Sequence, residues 1–92
     1  MLGQINDNVE MHRFEMSIGN ELAVSYYSTD GNRTTLLHTE VPPQFSGQGV
    51  GSQLAHEVFE ILRKKGQRVI AKCPFMAKYA AKHPEYLEML DG

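Results

Sequence analysis

The chain has 92 residues, 41% of them hydrophobic and 22% charged, which is enough for one globular domain but not for two. Its formal net charge of -2 argues against a nucleic-acid-binding protein and against a basic helix that lies on a membrane surface. The single cysteine, Cys73, and the lack of a signal-peptide pattern or a membrane-spanning apolar run predict a cytoplasmic protein.

The first half of the chain predicts three β-strands in an antiparallel meander. Apolar and polar residues nearly alternate over 9–18, and the change of phase at His12-Arg13 is typical of a β-bulge. Alternation over 21–28 predicts a second strand, and the turn-forming residues 29–32 predict a hairpin. A third strand follows over 34–41, where β-branched and apolar residues are frequent.

The second half predicts a crossover helix and a parallel strand. Apolar residues recur at helical spacing over 52–65, and Gly66 is a typical helix stop. The apolar segment 68–73 predicts a fourth strand. Because a helix connects it to the third strand, the two are expected to run parallel with a right-handed crossover.

The C-terminal part predicts a short helix over 75–82, which ends near His83-Pro84, and a final helical turn over 85–90. Together these elements predict one α+β domain over residues 1–92, with a single mixed sheet.

A glycine-rich turn, Gly47-Gln48-Gly49-Val50-Gly51, directly precedes the predicted helix. The first N–H groups of a helix have no intrahelical acceptor, and the helix dipole favours an anion there. Glycine also lets the backbone wrap closely around a phosphate. The spacing fits neither a Walker loop nor a dinucleotide fingerprint. The turn therefore predicts a phosphate-binding site, with a flexible loop before a helix cap as the alternative.

Basic residues are concentrated in the second half of the chain. A local positive field near the glycine turn would favour a phosphate-bearing ligand, although surface lysines are more often simply solvated. The second half carries Arg63, Lys64, Lys65, Arg68, Lys72, Lys78 and Lys82.

The segment 41–54, which contains the glycine turn, resembles the acetyl-CoA-binding signature of the GNAT acyltransferase superfamily. Cys73-Pro74-Phe75 and His83-Pro84-Glu85-Tyr86 resemble the small single-domain, N-acetyltransferase-like members of that superfamily. The resemblance covers roughly residues 8–90. It implies a GNAT-like mixed sheet, in which an antiparallel meander is followed by a parallel strand pair with a crossover helix and a short C-terminal helix.

The resemblance also implies the ligand. Acetyl-CoA or coenzyme A, bound as substrate, would lie where the two parallel strands splay apart, with the pantetheine arm along 38–41. Ser46 stands where the superfamily usually has Gln or Arg, which implies weaker binding. The helices that usually lie between the first two strands are missing, so the acceptor site is expected to be shallow or completed by a partner. The implied cofactor-binding residues are Val41, Ser46, Gly47, Gln48, Gly49, Val50, Gly51 and Ser52.

Four side chains are candidates for catalysis. Cys73 could accept the acetyl group as a nucleophile, or it could be a small buried apolar residue. His38 and Glu40 share one strand face, and either could be a general base or simply solvated. By resemblance, Tyr79 is placed where a tyrosine often protonates the leaving thiolate, and core packing is the alternative. One cysteine with scattered histidines predicts no metal site.

The expected function is that of an acetyl-CoA-dependent N-acetyltransferase acting on a small amine or a protein amine. A non-catalytic CoA-binding or regulatory module is the alternative from another class. A third possibility is an interaction domain with a vestigial glycine loop. The sequence identifies neither the amine acceptor nor the oligomeric state, and it predicts neither a nucleic-acid nor a membrane partner.

Overall fold

The computed structural model describes residues 4–91, which form a five-stranded mixed sheet covered by helices on one face. The sheet order follows the chain order; the first four strands are antiparallel neighbours and the last pair is parallel. The strands are β1 (Ile5–Asn8), β2 (Arg13–Ile18), β3 (Glu21–Asp30), β4 (Arg33–Glu40) and β5 (Arg68–Ala71).

The N-terminal hairpin corrects the predicted first strand. Residues 9–12 form a turn between β1 and β2, and they do not continue a strand through a bulge. His12 in that turn has a φ of 54°, and Val9 and Met11 are exposed. Val9 and Met11 therefore fit the alternating sequence pattern of a strand although neither side chain is buried. The meander has four strands and not three, because β1 precedes the segment that was predicted as the first strand.

The bulge lies instead in β4. The pairing register with β3 shifts between Tyr26, which faces His38, and Tyr27, which faces Leu36, so that Leu37 has no partner. An unpaired residue of this kind bends its strand and increases the local twist. The bulge therefore occurs where β4 approaches the start of the loop that leads to the first helix.

The parallel pair separates immediately beyond this bulge. Pairing between β4 and β5 ends at Leu36 and Ala71, whereas β4 continues to Glu40. The backbone N–H groups of Lys72 and Cys73 both donate to the carbonyl oxygen of Leu36, which ends the ladder. The last part of β4 therefore has no β5 neighbour, and the splayed strands that the GNAT resemblance implies are present.

Two α-helices cover one face of the sheet: α1 (Val50–Lys64), which crosses from β4 to β5, and α2 (Pro74–Ala81). A 3-10 helix, Pro84–Met89, follows and packs against α1. Helix α1 begins two residues before its predicted start at Ser52. The strand predicted over 68–73 is shorter than expected, because Cys73 is the N-cap residue of α2.

A continuous apolar core lies between the helices and the sheet. Its largest side chains include Phe14, Met16, Leu36, Leu54 and Phe59, all almost fully buried. Burial of this apolar surface is the main favourable term in folding. The N-terminal end of α1 lies near the splayed strands because a short loop joins it to β4. No helix within residues 4–91 has the length and hydrophobicity needed to cross a membrane.

Candidate functional site

A cleft of about 400 Å³ lies at the glycine turn, between the end of β4, the first turn of α1 and the start of α2. We call it the main cleft. Seven of the eight predicted cofactor-binding residues line it, and Gln48 is the exception. The lining residues are Thr39, Val41, Phe45, Ser46, Gly47, Gly49, Val50, Gly51, Ser52 and Phe75.

Unpartnered backbone donors are concentrated in the main cleft. Within residues 4–91, no acceptor takes a hydrogen bond from the N–H groups of Gly47, Gly49, Val50, Gly51 or Ser52. The first backbone hydrogen bond of the helix is donated by the N–H of Gln53 and accepted by the carbonyl oxygen of Gly49. Orphan donors at a helix N-terminus, together with the positive end of the helix dipole, form a favourable environment for an anion.

The local backbone explains why glycine is needed at two of these positions. Gly47 and Gly49 both have a φ of 79°, in the left-handed region where a Cβ is unfavourable. Gly49 is the N-cap residue of α1, so no side chain caps the helix. The first turn contains no acidic residue either. The positive end of the dipole is therefore not neutralised by the helix itself.

Two of the predicted donors are already used within the loop. The N–H of Ser46 donates to the carbonyl oxygen of Pro43 at 3.1 Å, and the N–H of Gln48 donates to that of Phe45 at 3.3 Å. The side-chain amide of Gln48 donates to the carbonyl oxygen of Gln44 at 3.1 Å. Gln48 therefore stabilises the shape of the loop, and the hydroxyl of Ser46 remains on the cleft wall.

Phe75 determines the shape of one end of the main cleft. A Cβ on Gly51 would lie only 2.8 Å from Cζ of Phe75, so the ring covers the backbone of the helix at that point. Gly51 has no positive φ, so the close approach of this ring is the reason that a glycine fits here. The phenyl ring is half-exposed and therefore presents apolar surface to the cleft.

Cys73 lies behind the cleft wall. Its side chain is 3% exposed and does not line the main cleft, whereas Thr39 does. The Thr39 hydroxyl and the Cys73 sulfur are 3.3 Å apart and share a hydrogen bond. The structure therefore places the thiol at the level of the splayed strands, where Thr39 covers it.

His38 and Glu40 project from the opposite face of β4. The Nε2 atom of His38 lies 3.2 Å from a carboxylate oxygen of Glu40, and both side chains are exposed. The His38 ring is parallel to that of Tyr26 on β3, with centroids 6.3 Å apart. Because side chains alternate across a strand, this pair and Thr39 lie on opposite faces of the sheet.

A second cleft, of about 470 Å³, adjoins the main cleft at the end of β4. Thr39 and Val41 line both clefts, so the end of β4 forms the wall between them. The second cleft carries two carboxylates and no basic side chain from the described residues. Its lining residues are Glu21, Leu22, Thr39, Glu40, Val41, Pro42 and Pro43.

Tyr79 does not line the main cleft. It lies on α2, where its ring stacks on that of His83 with centroids 3.9 Å apart. The Nδ1 atom of His83 is 2.7 Å from the carbonyl oxygen of Tyr79, which fixes the imidazole against the helix. Burial, followed by the nearby charges of Glu85 and Glu60, raises the pKa of Tyr79, so its phenol stays protonated at neutral pH. The acid role predicted for Tyr79 stays a prediction.

Tyr86 anchors the C-terminal segment to α1. Its hydroxyl donates to a carboxylate oxygen of Glu60 at 2.7 Å and lies 3.1 Å from Nδ1 of His56. Burial and the Glu60 carboxylate raise the pKa of Tyr86, and the hydrogen bond from Tyr86, followed by that from Arg63, lowers the pKa of Glu60. Tyr86 therefore fixes the 3-10 helix to α1.

Three residues of the main cleft are absent from the predicted site: Thr39, Phe45 and Phe75. The position of Thr39 between His38 and Glu40 was a usable signal, because alternation places its side chain on the helix-covered face. Phe75 follows a proline at the start of a helix, and nothing in that pattern shows that its ring reaches the glycine turn. Within residues 4–91, no three His, Cys, Asp or Glu side chains lie together as a metal site.

Comparisons with known proteins agree with this geometry. Residues 13–89 match the family model described as GCN5-related N-acetyl-transferase. The protein NATD1 of Xenopus tropicalis is 34% identical over 71 residues, which is 74% of this chain and 65% of that protein. Human NATD1 is 32% identical over 71 residues, which is 74% of this chain and 63% of that protein. The matched region thus spans slightly less than two thirds of these relatives.

A solved structure shares the fold. The solution structure of a GCN5-like protein from Staphylococcus aureus superimposes with a TM-score of 0.73 and 29% sequence identity. The superposition covers 97% of this chain and 88% of that chain. The mixed sheet, with its antiparallel meander and parallel final pair, is therefore an arrangement already known in a GCN5-like protein.

Proposed function

Since the chain belongs to the GCN5-related N-acetyltransferase family, we propose that it binds acetyl-CoA in the main cleft and transfers the acetyl group to an amine. The family generally uses acetyl-CoA as its cosubstrate. In this proposal the pyrophosphate of acetyl-CoA accepts hydrogen bonds from the first turn of α1. The pantetheine arm then follows the unpaired end of β4 toward Thr39.

One observation carries the proposal: five N–H groups that have no acceptor within residues 4–91, from Gly47 and 49–52, belong to residues that line one cleft. Unsatisfied backbone donors are costly unless water or a ligand accepts from them. A diphosphate offers several charged acceptors and suits the positive end of the helix dipole. No carboxylate from the first turn of α1 competes for the same donors.

The second cleft supports an amine acceptor with a positive charge. Glu21 and Glu40 both line it, and their carboxylates attract an ammonium group. Thr39 and Val41 separate this cleft from the main cleft. An amine held beside Glu40 would therefore approach the thioester from the side opposite to the coenzyme.

The proposed chemistry is direct transfer. Glu40, directly or through a water molecule, removes a proton from the ammonium group, and the neutral nitrogen attacks the acetyl carbonyl carbon. The N–H of Val41, which donates to no acceptor among residues 4–91, is available to the developing oxyanion. The carbon–nitrogen bond forms as the carbon–sulfur bond breaks, CoA leaves as a thiolate, and the nitrogen gives up its remaining extra proton through water to that thiolate. Tyr79 lies outside the main cleft, so a proton from it would reach the sulfur through water.

A covalent route through Cys73 is less favourable in this geometry. Cys73 is 3% exposed and its sulfur lies behind Thr39, so the side chain of Thr39 would have to move before a thioester could reach the sulfur. Nucleophilic catalysis requires the thiolate to be accessible to the carbonyl carbon. Direct transfer requires no such movement.

A non-catalytic CoA-binding module is favoured by one observation. His38 and Glu40 have side chains that are 62% and 59% exposed, so the candidate base is in open solvent. A solvated carboxylate is a weak base unless a bound acceptor or a partner excludes water from it. Both the acetyltransferase and the non-catalytic module would bind CoA in the main cleft. Only the acetyltransferase would also bind an amine in the second cleft.

The experiment is an assay of CoA release against a panel of amines. Acetyl-CoA is incubated with the protein and with a polyamine, a lysine-containing peptide or a neutral aromatic amine, and the acetylated product is identified by mass spectrometry. We expect the cationic amines to be acetylated fastest. Binding of CoA without turnover on any amine would favour the non-catalytic module, and absence of CoA binding would defeat both functions.

A further inference from the structure

A small cleft of about 130 Å³ on α2 has no role in the chemistry described above. It differs from the second cleft in charge, because it carries two lysines and a histidine and no carboxylate from the described residues. Its lining residues are Ser52, Phe75, Lys78, Tyr79, Lys82 and His83.

The small cleft is continuous with the phosphate end of the main cleft. Ser52 and Phe75 line both of them. Ser52 also carries one of the five unpartnered N–H groups at the start of α1. A ligand whose diphosphate occupies those N–H groups can therefore continue past the Phe75 ring into the small cleft without crossing the core.

The positive charges in the small cleft are not neutralised within residues 4–91. Lys78 and Lys82 are exposed, and no carboxylate of the described chain forms an ion pair with either. Lys78 lies on α2 and Lys82, four residues further on, is the C-cap residue, so their ammonium groups lie on one side of the helix and repel each other. An anion between them would remove that repulsion.

Two features give the small cleft a defined wall. The His83 imidazole is held against the Tyr79 ring, with centroids 3.9 Å apart, and by its Nδ1 contact with the Tyr79 carbonyl oxygen. Nε2 of His83 forms no hydrogen bond with a residue in 4–91, and the imidazole lines the cleft. The imidazole and the phenol ring therefore form a fixed wall beside the two exposed lysines.

We propose that the small cleft binds the 3′-phosphate of coenzyme A through Lys78 and Lys82, so that this protein distinguishes CoA from 3′-dephospho-CoA. The inference rests on the proposed function, since it takes the diphosphate to lie at the start of α1. It adds a phosphomonoester subsite on α2 that the glycine turn does not supply. The ligand that tests it has the same pantetheine arm, diphosphate and adenosine and lacks only the 3′-phosphate.

The test is calorimetric titration of the protein with CoA and with 3′-dephospho-CoA. We expect CoA to bind about fivefold more tightly, because two exposed ion pairs contribute modestly. In the double variant Lys78→Gln/Lys82→Gln, the two ligands should bind equally, with the affinity for 3′-dephospho-CoA unchanged.

A matched variant controls for net charge. Lys64 ends α1 at the far side of the molecule and Lys72 follows β5, and neither lines any of the three clefts. Lys64→Gln/Lys72→Gln should keep the preference for CoA. Equal affinity of the unaltered protein for CoA and 3′-dephospho-CoA would overturn this inference but not the proposed function. The inference would also be overturned if the control variant lost the preference for CoA as fully as the Lys78→Gln/Lys82→Gln variant. Failure of both ligands to bind would overturn the proposed function as well.

Discussion

The side-chain oxygen of Thr39 lies 3.3 Å from the sulfur of Cys73, and Thr39 faces the main cleft whereas Cys73 does not. Direct transfer therefore predicts that Cys73→Ala keeps turnover within about twofold of the unaltered protein. The change should cost about 1 kcal/mol of stability, since a small buried side chain is truncated. Steady-state kinetics and thermal unfolding measure the two effects.

Intact mass measured after incubation with acetyl-CoA separates the two routes. Direct transfer predicts no acetyl adduct on the unaltered protein. An adduct that disappears in Cys73→Ala, together with loss of turnover in that variant, would establish the covalent route instead.

Glu40 is predicted to act on the amine and not on the coenzyme. Glu40→Gln should lower kcat about 100-fold, at the lower end of the usual range for a general base, because this carboxylate is solvated. The Kd for CoA should not change. Glu21→Gln is the comparison variant, and it should raise KM for a cationic amine while kcat falls much less. Equal kcat values in Glu40→Gln and the unaltered protein would remove Glu40 from the mechanism.

The Tyr86 hydroxyl is predicted to stabilise the fold. Tyr86→Phe removes the hydrogen bonds to Glu60 and His56 and leaves the ring in place. A buried hydrogen bond to a charged group is worth about 1.5 kcal/mol, so Tm should fall by roughly 6 to 12 °C. Tyr79→Phe is the matched control, because the Tyr79 hydroxyl has no hydrogen bond within residues 4–91, and its Tm should hardly move. A similar fall in Tm in Tyr86→Phe and Tyr79→Phe would contradict the stabilising role of the Tyr86 hydroxyl.

Glu15 predicts a pH-dependent contribution to stability. Hydrogen bonds from Arg13 and then Asn8 lower the pKa of Glu15 below its usual value of 4.5. A carboxylate with a lowered folded-state pKa stabilises the fold above its unfolded-state pKa, and that contribution is lost as the pH falls through the folded-state pKa. The difference in unfolding free energy between the unaltered protein and Glu15→Gln should therefore be largest near neutral pH and shrink below about pH 4.

Urea unfolding at several pH values measures this difference. Glu10→Gln provides the control, since Glu10 lies in the exposed turn and forms no ion pair within residues 4–91. Its difference from the unaltered protein should stay near zero throughout. A Glu15→Gln difference that is independent of pH would show that the Arg13 contact carries no net charge effect.

The sequence predicted the fold class and the order of most elements, because periodicity and turn chemistry agree with burial over 21–71. The N-terminal hairpin was the exception. β1 contains one apolar residue, Ile5, among polar ones, so its pattern carries no strand signal. Val9 and Met11 wrongly indicate a strand, because these two apolar residues alternate with polar ones in a turn and do not face the core. Only the pairing of β1 with β2 identifies the first strand.

The geometry of the glycine turn could be predicted because it depends on local backbone. A glycine turn that enters a helix specifies its own donors, and these need no distant partner. The other end depends on contacts between distant parts of the chain. The approach of Phe75 to Gly51, the cover that Thr39 provides for Cys73, and the position of Tyr79 against His83 follow from packing, which periodicity does not reveal.

The most direct test of the account is calorimetric titration of CoA into the unaltered protein, Ser52→Ala and Ser52→Asp. An aspartate in the first turn of α1 favours the helix dipole, so Ser52→Asp should unfold at the same or a higher temperature. Its carboxylate would compete with the diphosphate for the unpartnered N–H groups and repel it. We predict at least tenfold weaker CoA binding in Ser52→Asp and nearly unchanged binding in Ser52→Ala. Equal affinity in all three proteins would show that the diphosphate does not lie at the start of α1.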